Sequence, residues 1–392
     1  MITLLSAIYS LQQSPILDRN IEVPETSLVR AEDHGLRAHT NHLILRGPFK
    51  GTIETIDANA GKHLFAPSGY GPSSIRAAYN LASTGGSGVH ACIIAYNYKN
   101  AMRDFNVFST QFGLPTETSS SQTSSTNAHF QVVYQGSSAP ATNVGWNQEA
   151  ALDIEWSHSM APGAKIVLVE ANSASFADLN AAVVKAASIP GVRSISMSYG
   201  ATEFSGETAY ESVFSHTGIV YFASTGDTGG QHSWPALSPS VVAVGGTTLT
   251  GSGSSWNETT WSGSGCGLSS YFSRPSYQNA VQAIVGTQRG AADISADADP
   301  NTGVAVYAPT SSRSSGWLVF GGTSVSCPVI AGIYNLSGTA SSSSAAELTR
   351  IYANLGSSSF RDVTSGSAGG NFATVGYDLA NGVGTPLGLS GF

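Results

Sequence analysis

Two carboxylates four residues apart, Glu149 and Asp153, stand in the stretch NQEAALDIEWSHSMAPG, and a serine, Ser324, stands in GGTSVSCPVIAGI. A helix ending before Pro162 would place both acids on one face, among the apolar neighbours Ala150, Ala151, Leu152 and Ile154. Two like charges at that spacing repel unless one holds a proton or both are put to use. Glu155 and His158 fit the solvated face of the same helix. Ser324 lies where a glycine-rich turn feeds a helix, so free backbone N–H groups would surround its hydroxyl. The same position is also a routine helix N-cap. A hydroxyl nucleophile needs a base, and the nine histidines form no H-G-x-H-type motif. Carboxylates are then the bases on offer. A third acid, Asp227, closes the run IVYFASTGD just beyond Gly226, the region where parallel sheets gather functional groups. Taken singly, it reads as a turn aspartate bonded to its own backbone.

The elements that would position these groups are legible. VHACIIAY (89–96), AKIVLVEA (164–171), VRSISMSY (192–199), IVYFAS (219–224) and VVAVGG (241–246) are apolar runs of strand length. Between them, SASFADLNAAVVKAAS carries Phe176, Leu179, Val183 and Ala186 at helical spacing, opened by a capping-box-like Ser175 and Asp178. ETAYESVFSH and SCPVIAGIYNLSG are expected helices, the latter tolerating Pro328 in its first turn. Repeated βα units of this kind predict an α/β fold with a parallel sheet flanked by helices. The stretch PTETSSSQTSSTNAH (115–129) is a polar loop, and the last 30 residues are glycine-rich and loop-like.

The chain has 392 residues, of which 41% are hydrophobic, enough for one large core or two medium ones. Charged residues make up only 11%, against roughly 25% in ordinary soluble domains. A surface of Gly, Ser and Thr has few carboxylates that acid must protonate, so it loses less stability as pH falls. A net charge of −8 argues against a nucleic-acid partner. No apolar run is long enough to span a membrane. The three cysteines, Cys92, Cys266 and Cys327, show no metal-ligand spacing and read as small buried side chains, with one bridge allowed.

Taken together, Glu-x-x-x-Asp, a strand ending in STGD, and GGTS resemble in order the serine-carboxyl peptidases, the sedolisins. YGPSSIRAAYNL, FGLP, LDIEWSHSMAPGAKIVLVEA, SISMSYGATE, WPALSPSVVAVGGTTL, ETTWSGSGCGLSSYFSRPSYQ and DISADADPNTGVAVY resemble family segments in the family's order, from about residue 64 onward. The resemblance implies a subtilisin-like fold and a peptide-bond hydrolase. In it Ser324 is the nucleophile, Glu149 its general base, Asp153 the residue that holds Glu149, and Asp227 a protonated acid donating to the oxyanion. A carboxylate base and a neutral aspartic acid both suit acid pH, where histidine is charged and useless as a base. The resemblance also implies one structural Ca²⁺ in FRDVTSGSAGGNFATVGYD, held by Asp362 and Asp378 and by the carbonyls of Val363, Thr374 and Gly376. Thr374 stands where the family usually has glycine.

Residues 1–63 differ in texture and resemble the tail and linker of a pro-segment, with 64–392 as the peptidase domain. Family members carry a far longer pro-segment, so the chain is expected to be a fragment, a mis-started sequence or a member with a shortened pro-region. Secretion is implied by resemblance alone, since MITLLSAIYSLQQS has no basic n-region and no small-residue cleavage site. The expected partners are protein substrates and its own pro-segment, without nucleic acid or membrane, and a monomer is expected. Gly321 replaces a usual serine, which should alter packing more than chemistry, and Tyr199 replaces a usual tryptophan near the expected cleft. Two rivals stand beside this reading: a Ser-His-Asp peptidase of the subtilisin type, and a secreted binding protein on an inactive peptidase scaffold.

Overall fold

The computed structural model describes residues 19–52 and 67–392. The stretch MITLLSAIYSLQQS and the expected start of the peptidase domain at residue 64 lie outside them. The apolar runs become the middle of an eight-stranded sheet. Its order is Ser255–Thr260, Val242–Ser252, Val220–Ser224, Val192–Met197, Val89–Ala95, Lys165–Ala171 and Phe130–Tyr134, with Ile294–Asp297 also paired to Val242–Ser252. Every pair is parallel except the hairpin of Val242–Ser252 with Ser255–Thr260. Helix Phe176–Ala187 packs on the middle strands, while Val144–Met160 and Thr323–Ser337 pack on the sheet and on each other. These two helices can approach closely because Gly332 has no side chain. A Cβ there would lie 2.7 Å from that of Met160 and 3.0 Å from the Ser157 carbonyl oxygen.

The local signals hold with instructive differences. Ser175 caps its helix by accepting the Asp178 N–H at 3.2 Å, as expected. The run VVAVGG continues to Ser252, because TTLT is β-branched and alternates in burial before Gly253 turns the chain into the hairpin. ETAYESVFSH winds into a tighter 3₁₀ helix, Glu207–Phe214, whose Glu207 carboxylate turns back to accept the Phe204 N–H at 2.8 Å. VRSISMSY breaks at Ser198: Val192–Met197 stays in the sheet, and Tyr199–Thr202 leaves it to pair elsewhere. Pro328 lies in the second turn of Thr323–Ser337 rather than the first, where its missing N–H would have met the Ser324 carbonyl.

Glu155 and His158 are not solvated. Both are fully buried, because helix Val144–Met160 lies between the sheet, strand Val304–Pro309 and helix Ala101–Gln111, and from Gln148 onward every residue of it is buried. Each side chain has one polar atom bonded, while Glu155 Oε1 and His158 Nδ1 are buried without a partner, so burial favours the neutral form of both. Glu155 accepts the Tyr307 N–H at 2.9 Å. The His158 ring sits 2.8 Å from the Pro115 carbonyl and packs on Phe105. The polar loop after Leu114 is pinned by Glu117, whose carboxylate accepts the N–H groups of Ser119, His129 and Phe130. The three cysteines are buried and unbridged. Among the described residues no helix is long and apolar enough to cross a membrane.

Candidate active site

The four candidate catalytic residues converge at the carboxyl ends of the central strands. Glu149 and Asp153 project from one face of the long helix and are fully buried. The Ser198 hydroxyl, at the strand break, donates to Asp153 Oδ1 at 2.6 Å. Glu149 Oε1 and Asp153 Oδ2 are buried and accept no hydrogen bond, so a proton held on the pair removes the cost of two dry anions. Burial raises both carboxyls well above the carboxylate range; contact with the Ser324 hydroxyl opposes this for Glu149, and the Glu149 charge reinforces it for Asp153.

Ser324 is the second residue of helix Thr323–Ser337, and its hydroxyl donates to the Ser198 carbonyl at 3.2 Å. Asp227 reaches the same terminus from the loop after Val220–Ser224. Its Oδ1 accepts the Thr323 N–H at 2.7 Å and the Thr323 hydroxyl at 2.9 Å. As a residue Asp227 is half-buried, yet Oδ2 is sealed from solvent and accepts no bond. Burial raises its carboxyl to about 7 against the opposing bonds from Thr323. An aspartic acid so held is neutral in acid and can donate from Oδ2.

The cleft in front of these groups holds part of the chain itself. Residues His39–Thr40 pair antiparallel with Tyr199–Thr202, Thr40 opposite Tyr199, and Leu43–Leu45 pair antiparallel with Ser315–Gly321. Between the two strands, the Asn41 carbonyl accepts the Ser324 N–H at 3.0 Å. Gly322, at φ +96°, permits this approach: a Cβ there would stand 2.3 Å from the Asn41 oxygen and 2.4 Å from Asp227 Oδ2. The Asn41 side-chain amide donates to the Ser224 hydroxyl at 2.7 Å. His42 lies stacked on Phe320 with Nδ1 2.7 Å from Glu149 Oε2, and burial lowers its imidazole to about 4. Its Nε2 is buried without a hydrogen-bond partner. A Ser-His-acid triad needs that nitrogen on the serine hydroxyl, whereas the Ser324 hydroxyl bonds to a backbone carbonyl instead.

Asn41, His42, Ser198, Ser224 and Thr323 were not singled out by sequence reasoning. The only signal near the first two is the strand-like LIL that follows them. Of the two departures, Tyr199 is buried beside Trp146 and opposite Thr40, at the cleft as expected. Gly321 lies so close to Pro300 that a Cβ would meet its backbone nitrogen at 2.4 Å, so a serine here requires that turn to move.

In the glycine-rich C-terminal segment, Asp362 Oδ2 accepts the Gly376 N–H and Asp378 Oδ2 accepts the Thr374 N–H, each at 2.9 Å. Both carboxylates therefore converge on one loop, beside Val363. The donors available there are carboxylate and carbonyl oxygens, a set that suits a hard cation.

A parallel sheet flanked by helices thus brings a serine at a helix N-terminus beside two buried acids of the facing helix. Residues 136–352, more than half of the chain, match the model of the subtilase family, and the chain belongs to that family. It is 36% identical over 171 residues to sedolisin of Pseudomonas sp. (strain 101), covering 40% of this chain and 28% of that relative. It is 29% identical over 283 residues to kumamolisin of Bacillus sp. (strain MN-32), covering 62% and 50%. The chain thus spans at most about half the length of these curated relatives. The solved structure of Pseudomonas sedolisin, a serine-carboxyl proteinase complexed with two molecules of pseudo-iodotyrostatin, superposes with a TM-score of 0.70 at 25% identity, over 82% of this chain and 96% of that one. The resemblance to the sedolisins and the subtilisin-like fold expected from sequence both stand.

Proposed function

We propose that the chain is an acid-active serine-carboxyl peptidase that hydrolyses peptide bonds in proteins. The observation that carries this reading is a peptide carbonyl resting on the Ser324 N–H beside Asp227 Oδ2, with Glu149 as the adjoining buried acid. Glu149, ionised while Asp153 keeps the pair's proton, takes the proton of the Ser324 hydroxyl as Oγ attacks the carbonyl carbon. The negative charge formed on the oxygen is met by the Ser324 N–H and by the Asp227 O–H. On collapse the C–N bond breaks and Glu149 returns the proton to the leaving amine, leaving an acyl-serine. Water, deprotonated by the same glutamate, then releases the acid. All four positions are present and adjacent, which weighs against an inactive binding scaffold.

The test is a pH–rate profile of peptide cleavage. Activity should peak in acid and decline toward neutrality as Asp227 ionises, and a profile flat to pH 8 overturns the assignment. By resemblance the protein works outside the cell as a monomer, with residues 1–63 serving as its pro-segment. Asp362 and Asp378, with the carbonyls of Val363, Thr374 and Gly376, would hold one Ca²⁺, which would tie the C-terminal loop to the strand before it. In the Ser324→Ala protein, a chelator should then lower Tm by roughly 5 °C or more, restored by Ca²⁺. An unchanged Tm counts against the site.

A further inference from the structure

We infer that the bond of this chain placed for cleavage in its own cleft is Asn41–His42, with the asparagine amide read by Ser224. The inference rests on the peptidase reading above and adds to it the bond and the side-chain class recognised. Three observations locate that bond. The segment enters the cleft as a strand added antiparallel to Tyr199–Thr202 and leaves as a strand added to Ser315–Gly321, the way an extended peptide docks on an open sheet edge. The two pairings flank Asn41 and His42; the His42 carbonyl is taken by the Ser27 hydroxyl, and it is that of Asn41 that accepts the N–H of the nucleophile. The same oxygen faces the Asp227 carboxyl across Gly322, so it already occupies the place where the oxyanion forms.

The side chain before the bond is recognised by its chemistry. The Asn41 amide donates to the Ser224 hydroxyl inside a wholly buried site, and Asn41 itself is only 1% exposed. A buried hydroxyl that loses its partner disfavours an apolar replacement, the usual basis of strong discrimination. The side chain after the bond is placed to delay the cut. His42 Nδ1 bonds to Glu149 Oε2, and the Ser324 hydroxyl is turned to the Ser198 carbonyl, so base and nucleophile are each engaged elsewhere. Residues 26–27 hold the segment down: the Ser27 hydroxyl donates to the His42 carbonyl at 2.9 Å, and the Thr40 hydroxyl donates to that of Thr26 at 3.0 Å. When the imidazole swings away, the reaction is ordinary hydrolysis. The Asn41 carbonyl carbon gains the oxygen of water, and the His42 nitrogen leaves as an amine.

The experiment is mass spectrometry and N-terminal sequencing of the full chain after acid incubation, with Ser324→Ala as control. A new N-terminus at His42 in the wild type, absent from Ser324→Ala alone, is the expected result. In parallel, the processed enzyme is given the peptide LRAHTNHLILR and its counterpart LRAHTLHLILR. Cleavage between Asn and His, at least tenfold faster than at the corresponding Leu–His bond, is expected. A processed enzyme that digests casein but begins elsewhere, or cuts both peptides equally, overturns the inference and leaves the peptidase reading standing. No processing and no casein digestion at any pH overturns both.

Discussion

Replacing Ser324 by alanine is expected to abolish peptide cleavage, with a loss of roughly 10⁴-fold or more, because the atom that forms the acyl bond is gone. Glu149→Gln should cost roughly 10²- to 10⁴-fold. Glutamine keeps the volume and can still accept a bond from His42, but its amide cannot take a proton from a serine hydroxyl. The two residues act in one step, so the double variant should be no worse than Ser324→Ala, where independent effects would multiply. His42 supplies the discriminating control. It touches Glu149 as part of the segment lying in the cleft, a segment that an added peptide would have to replace on the proposed reading. Hydrolysis of an added peptide should survive His42→Ala. A loss as large as that of Glu149→Gln would hand the base's role to the imidazole and overturn the carboxylate mechanism. Initial rates on one synthetic peptide, across all four proteins at pH 4, decide the matter.

The sequence carried the residues of the candidate site further than their surroundings. Glu149 and Asp153 were legible because helical spacing and apolar neighbours act within one turn, and Ser324 and Asp227 because glycine-rich ends of apolar runs are local signals. Their convergence follows from parallel topology, which places every strand's carboxyl end on the same edge. What failed was anything set by a distant partner. Glu155 and His158 carry the polar types of a solvated face, yet the strand and helix that cover them come from 304–309 and 101–111, and Tyr307 and Pro115 each bond one of their polar atoms from outside the helix. The break at Ser198 was hidden inside VRSISMSY, a run whose alternation never falters; its cause is the cleft, where Tyr199–Thr202 turns away to pair with His39–Thr40. Least legible was the segment lying in that cleft. Asn41 meets Ser224 across 183 positions, and His42 meets Glu149 across 107. No periodicity in AHTNHLIL announces either contact, since an added strand takes its order from the edge it joins rather than from its own composition.

Asp227 should decide how far toward neutrality the enzyme works. Its carboxyl is raised to about 7, so it is neutral below that pH and charged above it. On the proposed reading the neutral form donates from Oδ2 to the developing oxyanion. The ionised form presents a negative charge to a negative charge, and the rate falls as pH rises through the raised value. The sign is fixed by the role: an acid that donates a hydrogen bond is lost on the alkaline side. The acid limb is expected from the Glu149–Asp153 pair, which on this reading must shed one proton for Glu149 to act as base. Asparagine at 227 separates the two limbs. Its Oδ1 can accept both Thr323 bonds as the aspartate does, and its Nδ2 takes the place of Oδ2 with donors that do not titrate. Asp227→Asn should therefore keep activity within about tenfold in acid and carry the alkaline limb upward by a unit or more. Asp227→Ala, which removes the donor altogether, should lose about 10²- to 10³-fold in acid, a deficit that narrows above about pH 7 where the wild type has lost its donor too. Profiles of kcat/KM from pH 3 to 9 for the three proteins read this directly. An alkaline limb that stays in place in Asp227→Asn would show that another group ionises there and that Asp227 does not serve the oxyanion as a proton donor.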